Sequence, residues 1–296
     1  MPSKESMKYD FKTIFILISL FFISQVVGLG ILYKDMKIEV VNGTQQVVHP
    51  ETILGPRPEV SGWESFVWII GSIAMSTILL LVIIKIGIVN IWKLLFFGSM
   101  FLAISLALGV FINPILAFTT AFILALVKIF KPNIITHNTT EMLIYSGIAV
   151  MLVPLFEVKW IIALLLAISL YDFYAVFKSK HMVKMAKFQI KSKLFAGIMI
   201  PYKAVKGQKK KKVSGAIIGG GDIAFPLMFS GVVMESLVKL GQLTKEIAFL
   251  KVLIIPFFIS LILLFLLIKG KQGKFYPAMP FITAGCLISY GIILLL

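Results

Sequence analysis

The sequence predicts an all-α membrane protein with about nine transmembrane helices. Hydrophobic residues make up 59% of its 296 residues, and the mean hydropathy is +1.00, whereas water-soluble domains are nearer half apolar. The excess falls in long blocks almost free of charge, and a helix needs roughly 20 apolar residues to cross the hydrocarbon core. Because a chain in lipid must satisfy its own backbone hydrogen bonds, these blocks are predicted to be helices rather than open strands.

Nine such blocks are candidate spans, and together they predict a single polytopic domain over residues 1–296. The blocks lie near 11–33, 64–84, 91–112, 114–130, 141–156, 159–177, 214–238, 246–268 and 276–296. The fourth and fifth are short, so eight or ten spans remain alternatives. The first block is too long for a cleavable signal peptide, and no small-residue cleavage site follows it.

The lysines indicate which ends of the spans face the cytoplasm. An inside N-terminus places 22 of the 29 Lys and Arg residues in inner segments, as expected for cytoplasmic loops. Twelve of them lie in a basic cytoplasmic loop over 178–213, predicted to be solvated, with a short interfacial helix over 188–205. The N-terminus is therefore predicted to be cytoplasmic and the C-terminus outside. Cytoplasmic loops beside the membrane therefore explain the net charge of +16. Membrane lipid is an expected partner, and nucleic acid is not.

Cysteine and histidine are too few and too dispersed for several classes of membrane enzyme. Cys286 is the single cysteine, and His49, His137 and His181 all lie in predicted loops. The chain thus lacks the His-Glu-x-x-His helix of a metalloprotease and the helix-borne histidine base of a membrane serine hydrolase. No metal and no other cofactor is expected.

Two acids lie inside predicted spans, where a charged side chain is costly and indicates a functional role. Of the 13 Asp and Glu residues, only Asp172 and Asp222 lie deep within predicted spans, where a charge costs at least ~2.5–3.5 kcal/mol. At about 1.5 Å per helical residue, Asp172 precedes the inner end of the sixth span by ~9 Å and Asp222 follows that of the seventh by ~15 Å. Because consecutive spans are often neighbours, the two carboxylates are predicted to face each other in the cytoplasmic half.

The residues beside these acids suit a reaction site. Tyr171 precedes Asp172 and has a hydroxyl that can hydrogen-bond near it, although a packing role is a comparable interpretation. Asp222 closes the run Gly219-Gly220-Gly221-Asp222. Glycines weaken a helix and allow backbones to approach closely, so Gly219 and Gly221 can serve the site, close packing or both.

The ninth span opens with Pro277, Ala278, Met279 and Pro280. Two prolines leave backbone groups without helical partners, which is tolerable in a membrane only where protein, water or a ligand satisfies them. The predicted topology places this segment at the inner face, at the same side as the two acids.

Paired carboxylates support two kinds of function. Two carboxylates held ~3 Å apart, or bridged by a water, cannot both ionise and share one proton. One can then activate water as a general base while the other acts as a general acid toward a peptide carbonyl. Paired intramembrane acids also carry ions or protons, so a transporter or channel is the alternative. A transporter usually has broken spans in repeat-related halves, whereas the glycine and proline breaks here fall in the seventh and ninth spans.

Three motifs together resemble the GxGD intramembrane aspartyl proteases, the presenilin and signal-peptide-peptidase family. That family carries Tyr-Asp in its sixth helix, Gly-x-Gly-Asp in its seventh and Pro-Ala-Leu at the start of its ninth. The corresponding positions here are Tyr171-Asp172, Gly219-Gly220-Gly221-Asp222 and Pro277-Ala278-Met279. The resemblance implies a presenilin-like fold, Asp172 and Asp222 as catalytic residues, and Tyr171, Gly219, Gly221, Pro277, Ala278 and Met279 as support for the active site.

Two departures from the family pattern refine this resemblance. Met279 replaces the family leucine and is similar in volume. The residues Ile223-Ala224-Phe225-Pro226 are more similar to signal peptide peptidase, whereas Pro280 and the predicted topology are more similar to presenilin. The short loops suggest a compact microbial homologue in the cell membrane. The resemblance further implies transmembrane-helix proteins as substrates, cut within the bilayer, and leaves self-association into a homo-oligomer open.

Overall fold

The computed structural model is mostly helical and describes residues 10–41, 44–179, 181–192, 194–202, 214–239, 241, 243–270 and 276–296. The helices are α1 (Phe11–Asp35), α2 (Trp63–Ile86), α3 (Val89–Gly109), α4 (Pro114–Phe130), α5 (Ile134–Leu152), α6 (Val158–Phe177), α7 (His181–Ser192), α8 (Gly220–Lys239), α9 (Lys245–Val252), α10 (Ile254–Lys269) and α11 (Met279–Leu295). A short 3₁₀ turn, Val153–Leu155, follows α5. The strands form two antiparallel hairpins, β1 (Lys37–Val41) with β2 (Thr44–Val48), and β3 (Gly197–Tyr202) with β4 (Ser214–Gly219).

Seven helical segments in the described part of the chain are long and apolar enough to span a membrane, and two shorter apolar helices, α4 and α11, bring the count to nine. The predicted all-α, multi-pass architecture is therefore confirmed. The 246–268 span consists of α9 and α10, which meet at a turn at Leu253, three residues before Pro256. The orientation of the termini stays a prediction.

The fifth helix begins earlier than the sequence predicted. The predicted span started at Glu141, but α5 starts at Ile134, directly after Asn133, whose side chain accepts a hydrogen bond from the Thr136 N–H. Asparagine is a favoured residue at this capping position. Glu141 therefore lies about 10 Å into the helix, at about 1.5 Å per residue, rather than at its end.

The predicted span over 214–238 is wrong over its first six residues, because 214–219 is strand β4 and the helix starts at Gly220. The glycines flanking Ile217 and Ile218 lower helix propensity, and the two β-branched isoleucines favour a strand. Asp222 consequently lies in the first turn of α8. The continuous helix from which its depth of ~15 Å was predicted is wrong, and the depth itself stays a prediction.

The basic loop predicted over 178–213 contains regular structure where it is described. Helix α7 covers His181–Ser192 and strand β3 covers Gly197–Tyr202, so the interfacial helix predicted over 188–205 is displaced toward the N-terminus. Residues 203–213, with the lysine run at 209–212, lie outside the described residues.

Helix α8 is the most buried of the candidate spans and packs against α1, α5, α6, α10 and α11. Its end remote from Asp222 is held by a polar cluster. Glu235 lies 2.5 Å from Lys239 and 3.3 Å from His49, whose other ring nitrogen lies 2.8 Å from Asp35 on α1. Burial lowers the pKa of His49, but its hydrogen bonds to the two carboxylates outweigh this, and the pKa is raised above its ordinary 6.5. Two of the central helices are thus tied together through one histidine.

Candidate active site

Asp172 lies in the last turns of α6, five residues before Phe177, and only 4% of it is exposed. Its Oδ2 atom accepts a hydrogen bond of 3.1 Å from the Met279 N–H, and the backbone of Ala278 hydrogen-bonds the same carboxylate. These are the first N–H groups of α11, where a helix has free donors and a partial positive charge. The structure therefore brings the segment around Pro277, which is buried, onto the first acid.

A second polar contact fixes α11 against α6 one turn from this carboxylate. The hydroxyl oxygens of Ser169 and Thr283 are 2.7 Å apart, and the Thr283 hydroxyl also reaches the Leu165 carbonyl at 3.3 Å. Both hydroxyl residues are buried. Sequence reasoning missed this pair, because single Ser and Thr residues in apolar spans usually bond their own helix.

Asp222 is partly exposed in the first turn of α8, directly after strand β4. The Gly219 backbone hydrogen-bonds its carboxylate, and the carboxylate interacts electrostatically with that of Asp172. The other Asp172 oxygen, Oδ1, is buried and has no hydrogen-bond partner among the described residues. Packing of α6 against α8 thus brings the two predicted acids into one site. In this site, Asp172 Oδ1 can still accept a hydrogen bond from water or substrate.

The glycines around Asp222 differ in how tightly they are enclosed. A Cβ atom at Gly219 would lie 3.3 Å from Asp222 Oδ2, and one at Gly221 would lie 3.5 Å from the Phe225 ring. A Cβ at Gly220 would lie 2.5 Å from the Tyr145 hydroxyl oxygen. Sequence reasoning singled out Gly219 and Gly221, but the closest approach is at Gly220.

Tyr171 lies on a more exposed side of α6 than its neighbour Asp172, with 38% of the residue exposed. Its predicted role as a helper of the site stays a prediction. Gln25, which the sequence analysis did not single out, is fully buried on α1, and its side-chain amide donates a 2.9 Å hydrogen bond to the Ile223 carbonyl. The signal for Gln25 was a lone amide in the middle of the first apolar span.

Glu141 was also missed, because the predicted span began there and placed it at a helix end. It is 1% exposed, forms an ion pair with Lys128 of α4, and accepts hydrogen bonds from the Tyr145 hydroxyl and the Gly197 N–H. It therefore connects two helices to the β3–β4 hairpin that precedes Asp222. No group of three or more His, Cys, Asp or Glu side chains suited to a metal ion occurs in the described ranges.

Comparison with protein families identifies the chain. A family model described as signal-peptide peptidase, presenilin aspartyl protease matches residues 58–296. The chain belongs to this family. The match spans α2 through α11, so the Asp172 and Asp222 site lies wholly inside the region that carries family membership.

Solved structures agree with this family at the level of the fold. Two crystal forms of a presenilin family intramembrane aspartate protease, in space groups C222 and P2, superpose with TM-scores of 0.54 and 0.55. Both are 15% identical to this presenilin-family chain and cover 94% of it, and the chain covers 94% and 96% of theirs. A search of curated protein sequences gave no match.

Proposed function

We propose that this protein is a GxGD-type intramembrane aspartyl endopeptidase whose catalytic residues are Asp172 and Asp222. The observation that carries the proposal is the packing of α6 against α8, which puts Asp172 and Asp222 on neighbouring helices, in a member of the signal-peptide peptidase and presenilin family. An acid within a membrane protein is costly, and a pair of them is accounted for by a reaction that needs both.

The proposed reaction uses one proton shared by the pair. Two interacting carboxylates in a poorly solvated site keep one proton between them, so one is ionised and the other is neutral. The ionised carboxylate takes a proton from water as the oxygen attacks the peptide carbonyl, and the neutral one gives its proton to the carbonyl oxygen. Collapse of the resulting diol breaks the C–N bond, and a proton passes to the leaving amine. The protonation states belong to the pair rather than to one residue.

The proposed supporting residues act on the two carboxylates from both sides. Met279 and Ala278, held by the buried Pro277, would orient Asp172 through backbone N–H groups, and Gly219 would do the same for Asp222. Hydrogen bonds of this kind fix a carboxylate in one geometry before the reaction begins. Met279 donates through its backbone, so its replacement of the family leucine leaves this interaction intact.

The proposed substrates are single transmembrane helices of membrane proteins, which must unwind locally before a peptide bond is accessible. Strand β4 pairs with β3 on one side and leads directly to Asp222, so its other side offers backbone groups next to the site. An extended peptide can add to such a strand edge through main-chain hydrogen bonds. Residues 277–279 would complete the wall of the site on the opposite side.

Environment and partners follow from the fold to different extents. The chain is an integral, multi-pass membrane protein by its family and its apolar helices. We further propose placement in the cell membrane, contacts with its lipid and assembly into a homo-oligomer.

The test replaces each acid by its amide and measures cleavage of a transmembrane peptide by the purified protein. Asp172→Asn and Asp222→Asn should each lower the rate by roughly 10²–10⁴-fold, the range for loss of a general acid or base. Glu157→Gln is the matched control, because Glu157 is exposed at the opposite end of α6 and pairs with Lys159 at the surface. Exposed pairs contribute little to stability, so this variant should cleave normally.

Two results would contradict the proposal. Cleavage retained by either asparagine variant would exclude the shared-proton mechanism. Ion or proton flux through wild-type protein in liposomes without substrate, lost in both variants, would instead favour the transporter alternative.

A further inference from the structure

Strand β3 pairs with β4 along one edge and has an outer edge on the other side. In an antiparallel pair, residues alternate between bonding the partner strand and pointing their backbone groups away from it. The Gly220 N–H bonds the Ala196 carbonyl at 3.1 Å, which sets the phase of the alternation. By this phase, Gly197, Met199 and Pro201 face away from β4.

Side chains of α5 fill this outer edge. The Asn138 side-chain oxygen accepts from the Met199 N–H at 3.0 Å, and its nitrogen donates to the Met199 carbonyl at 3.0 Å. Two residues along, the Gly197 N–H donates to Glu141 at 2.8 Å and the Gly197 carbonyl lies 2.9 Å from His137 Nε2. The third outward position, Pro201, has no N–H to donate. The side chains of α5 thus bond β3 where a neighbouring strand would.

The groups that close this edge are buried and anchored. Asn138 is 4% exposed and Glu141 is 1% exposed. Glu141 forms an ion pair with Lys128 of α4 and accepts from the Tyr145 hydroxyl, and Tyr145 in turn packs against Gly220. A buried ion pair is weak as a source of stability, and in a membrane it is expensive. Its position, between the β3 edge and the start of α8, suggests a functional reason for keeping it.

The opposite edge of the hairpin differs. By the same alternation, Gly215, Ile217 and Gly219 of β4 point their backbone groups away from β3, and in the described part of the chain this sheet has two strands only. The last of these positions is the glycine whose backbone bonds Asp222. The β4 edge therefore has no third strand in the described part of the chain and ends at the carboxylate, whereas the β3 edge faces α5.

We propose that Asn138 and Glu141 are positioning residues that close the β3 edge and hold the hairpin in one place, so that an extended substrate adds to β4 alone and in one register. The register of a strand decides which residue stands at each position along its partner. The peptide bond presented to Asp172 and Asp222 is then set by Asn138 and Glu141 of α5 through the hairpin that precedes Asp222. This inference rests on the proposed proteolytic function.

The test compares Asn138→Leu with Thr140→Val on the same helix. Asn138→Leu removes both hydrogen bonds to Met199, whereas the hydrogen bonds of the Thr140 hydroxyl among the described residues go to carbonyls of α5 itself. Cleavage products of one transmembrane peptide are identified by mass spectrometry, and kcat and KM are measured separately. Asn138→Leu should spread cleavage over neighbouring peptide bonds and lower kcat at the original bond on the order of tenfold, the factor for a lost hydrogen bond. Thr140→Val should retain the wild-type cut and rate.

A second measurement reports the protection of the β3 edge and does not require proteolysis. Hydrogen–deuterium exchange at the Met199 amide should accelerate on the order of tenfold in Asn138→Leu and stay unchanged in Thr140→Val. Asn138→Ala, with room for water, serves the same purpose should Asn138→Leu fail to accumulate.

The outcomes separate the two proposals. An active Asn138→Leu or Asn138→Ala enzyme that cuts the wild-type bond at the wild-type kcat would overturn the inference and leave the proposed function standing. Equal losses of kcat in the Asn138 and Thr140 variants, with no change of cut site, would indicate that α5 has only a structural role. This result would also overturn the inference. A wild-type protein that cleaves no transmembrane peptide would remove the proposed function and the register role with it.

Discussion

Gly220→Ala is the substitution whose effect the site geometry predicts most directly. The new Cβ atom would lie 2.5 Å from the Tyr145 hydroxyl oxygen, and because ordinary contact starts near 3.4 Å, the phenol would have to retreat by about 0.9 Å. Tyr145 is 4% exposed and bonded to Glu141, so it has little room to move. Overpacking of this kind costs about 1–3 kcal/mol. We expect a lower free energy of unfolding by about that amount, measured by denaturant titration in detergent.

A double-mutant cycle then tests the cause. Tyr145→Phe removes the nearest atom, so Gly220→Ala in that background should destabilise less than in wild type, with a coupling energy of about 1 kcal/mol. Gly221→Ala is the matched control, because its Cβ would meet only the Phe225 ring at 3.5 Å; its effect should stay within about 0.5 kcal/mol. Additive effects at Gly220 and Tyr145, or a larger loss for Gly221→Ala, would refute the steric argument.

Two further predictions concern groups farther from Asp222. The raised pKa of His49 means that the folded protein favours the protonated ring, so its contribution to stability is full below the ordinary value of 6.5 and is lost as pH rises through the higher folded-state value. The melting temperature should therefore fall as pH rises from below 6.5 through the higher folded-state pKa. His49→Asn should flatten that slope, and an unchanged slope would contradict the linkage. Thr283→Val should lower the free energy of unfolding by about 1 kcal/mol by removing its contact with Ser169, and equal stability of the variant and wild type would exclude that contact as a stabilising one.

The placement of Asp172 and Asp222 in one site could be predicted from the sequence, for physical reasons. Hydropathy blocks marked the spans, and lysine placement predicted the end of each span at which Asp172 and Asp222 lie. Consecutive helices run antiparallel and pack side by side, so two acids near the same face converge. The Met279 segment followed from the same reasoning, because the start of the ninth span falls on that face.

Strand β4 could not be predicted from the hydropathy pattern. Ile217 and Ile218 are equally apolar in a strand and in a helix, so periodicity cannot separate the two within a short run. The buried position of Glu141 was not predicted for a related reason. The polar stretch 137–141 looks like a loop in a hydropathy profile, and its partners Lys128 and Gly197 are distant in sequence. Only the fold shows that this stretch is helical and that its polar atoms are satisfied by a strand edge.

The strand before Asp222 changes how the site can work. In a continuous helix, the N–H and C=O groups preceding the acid would all bond within the helix, leaving a substrate nothing but side chains to recognise. Six residues of strand ending at Gly219 instead direct alternate backbone groups away from β3, beside the carboxylate. Any unwound peptide has the same backbone, so recognition through this edge is indifferent to side-chain identity. Under the proposed function, such a site would select substrates by how readily their helices unwind. Cleavage rates for a series of transmembrane peptides with graded helix stability would measure this selection.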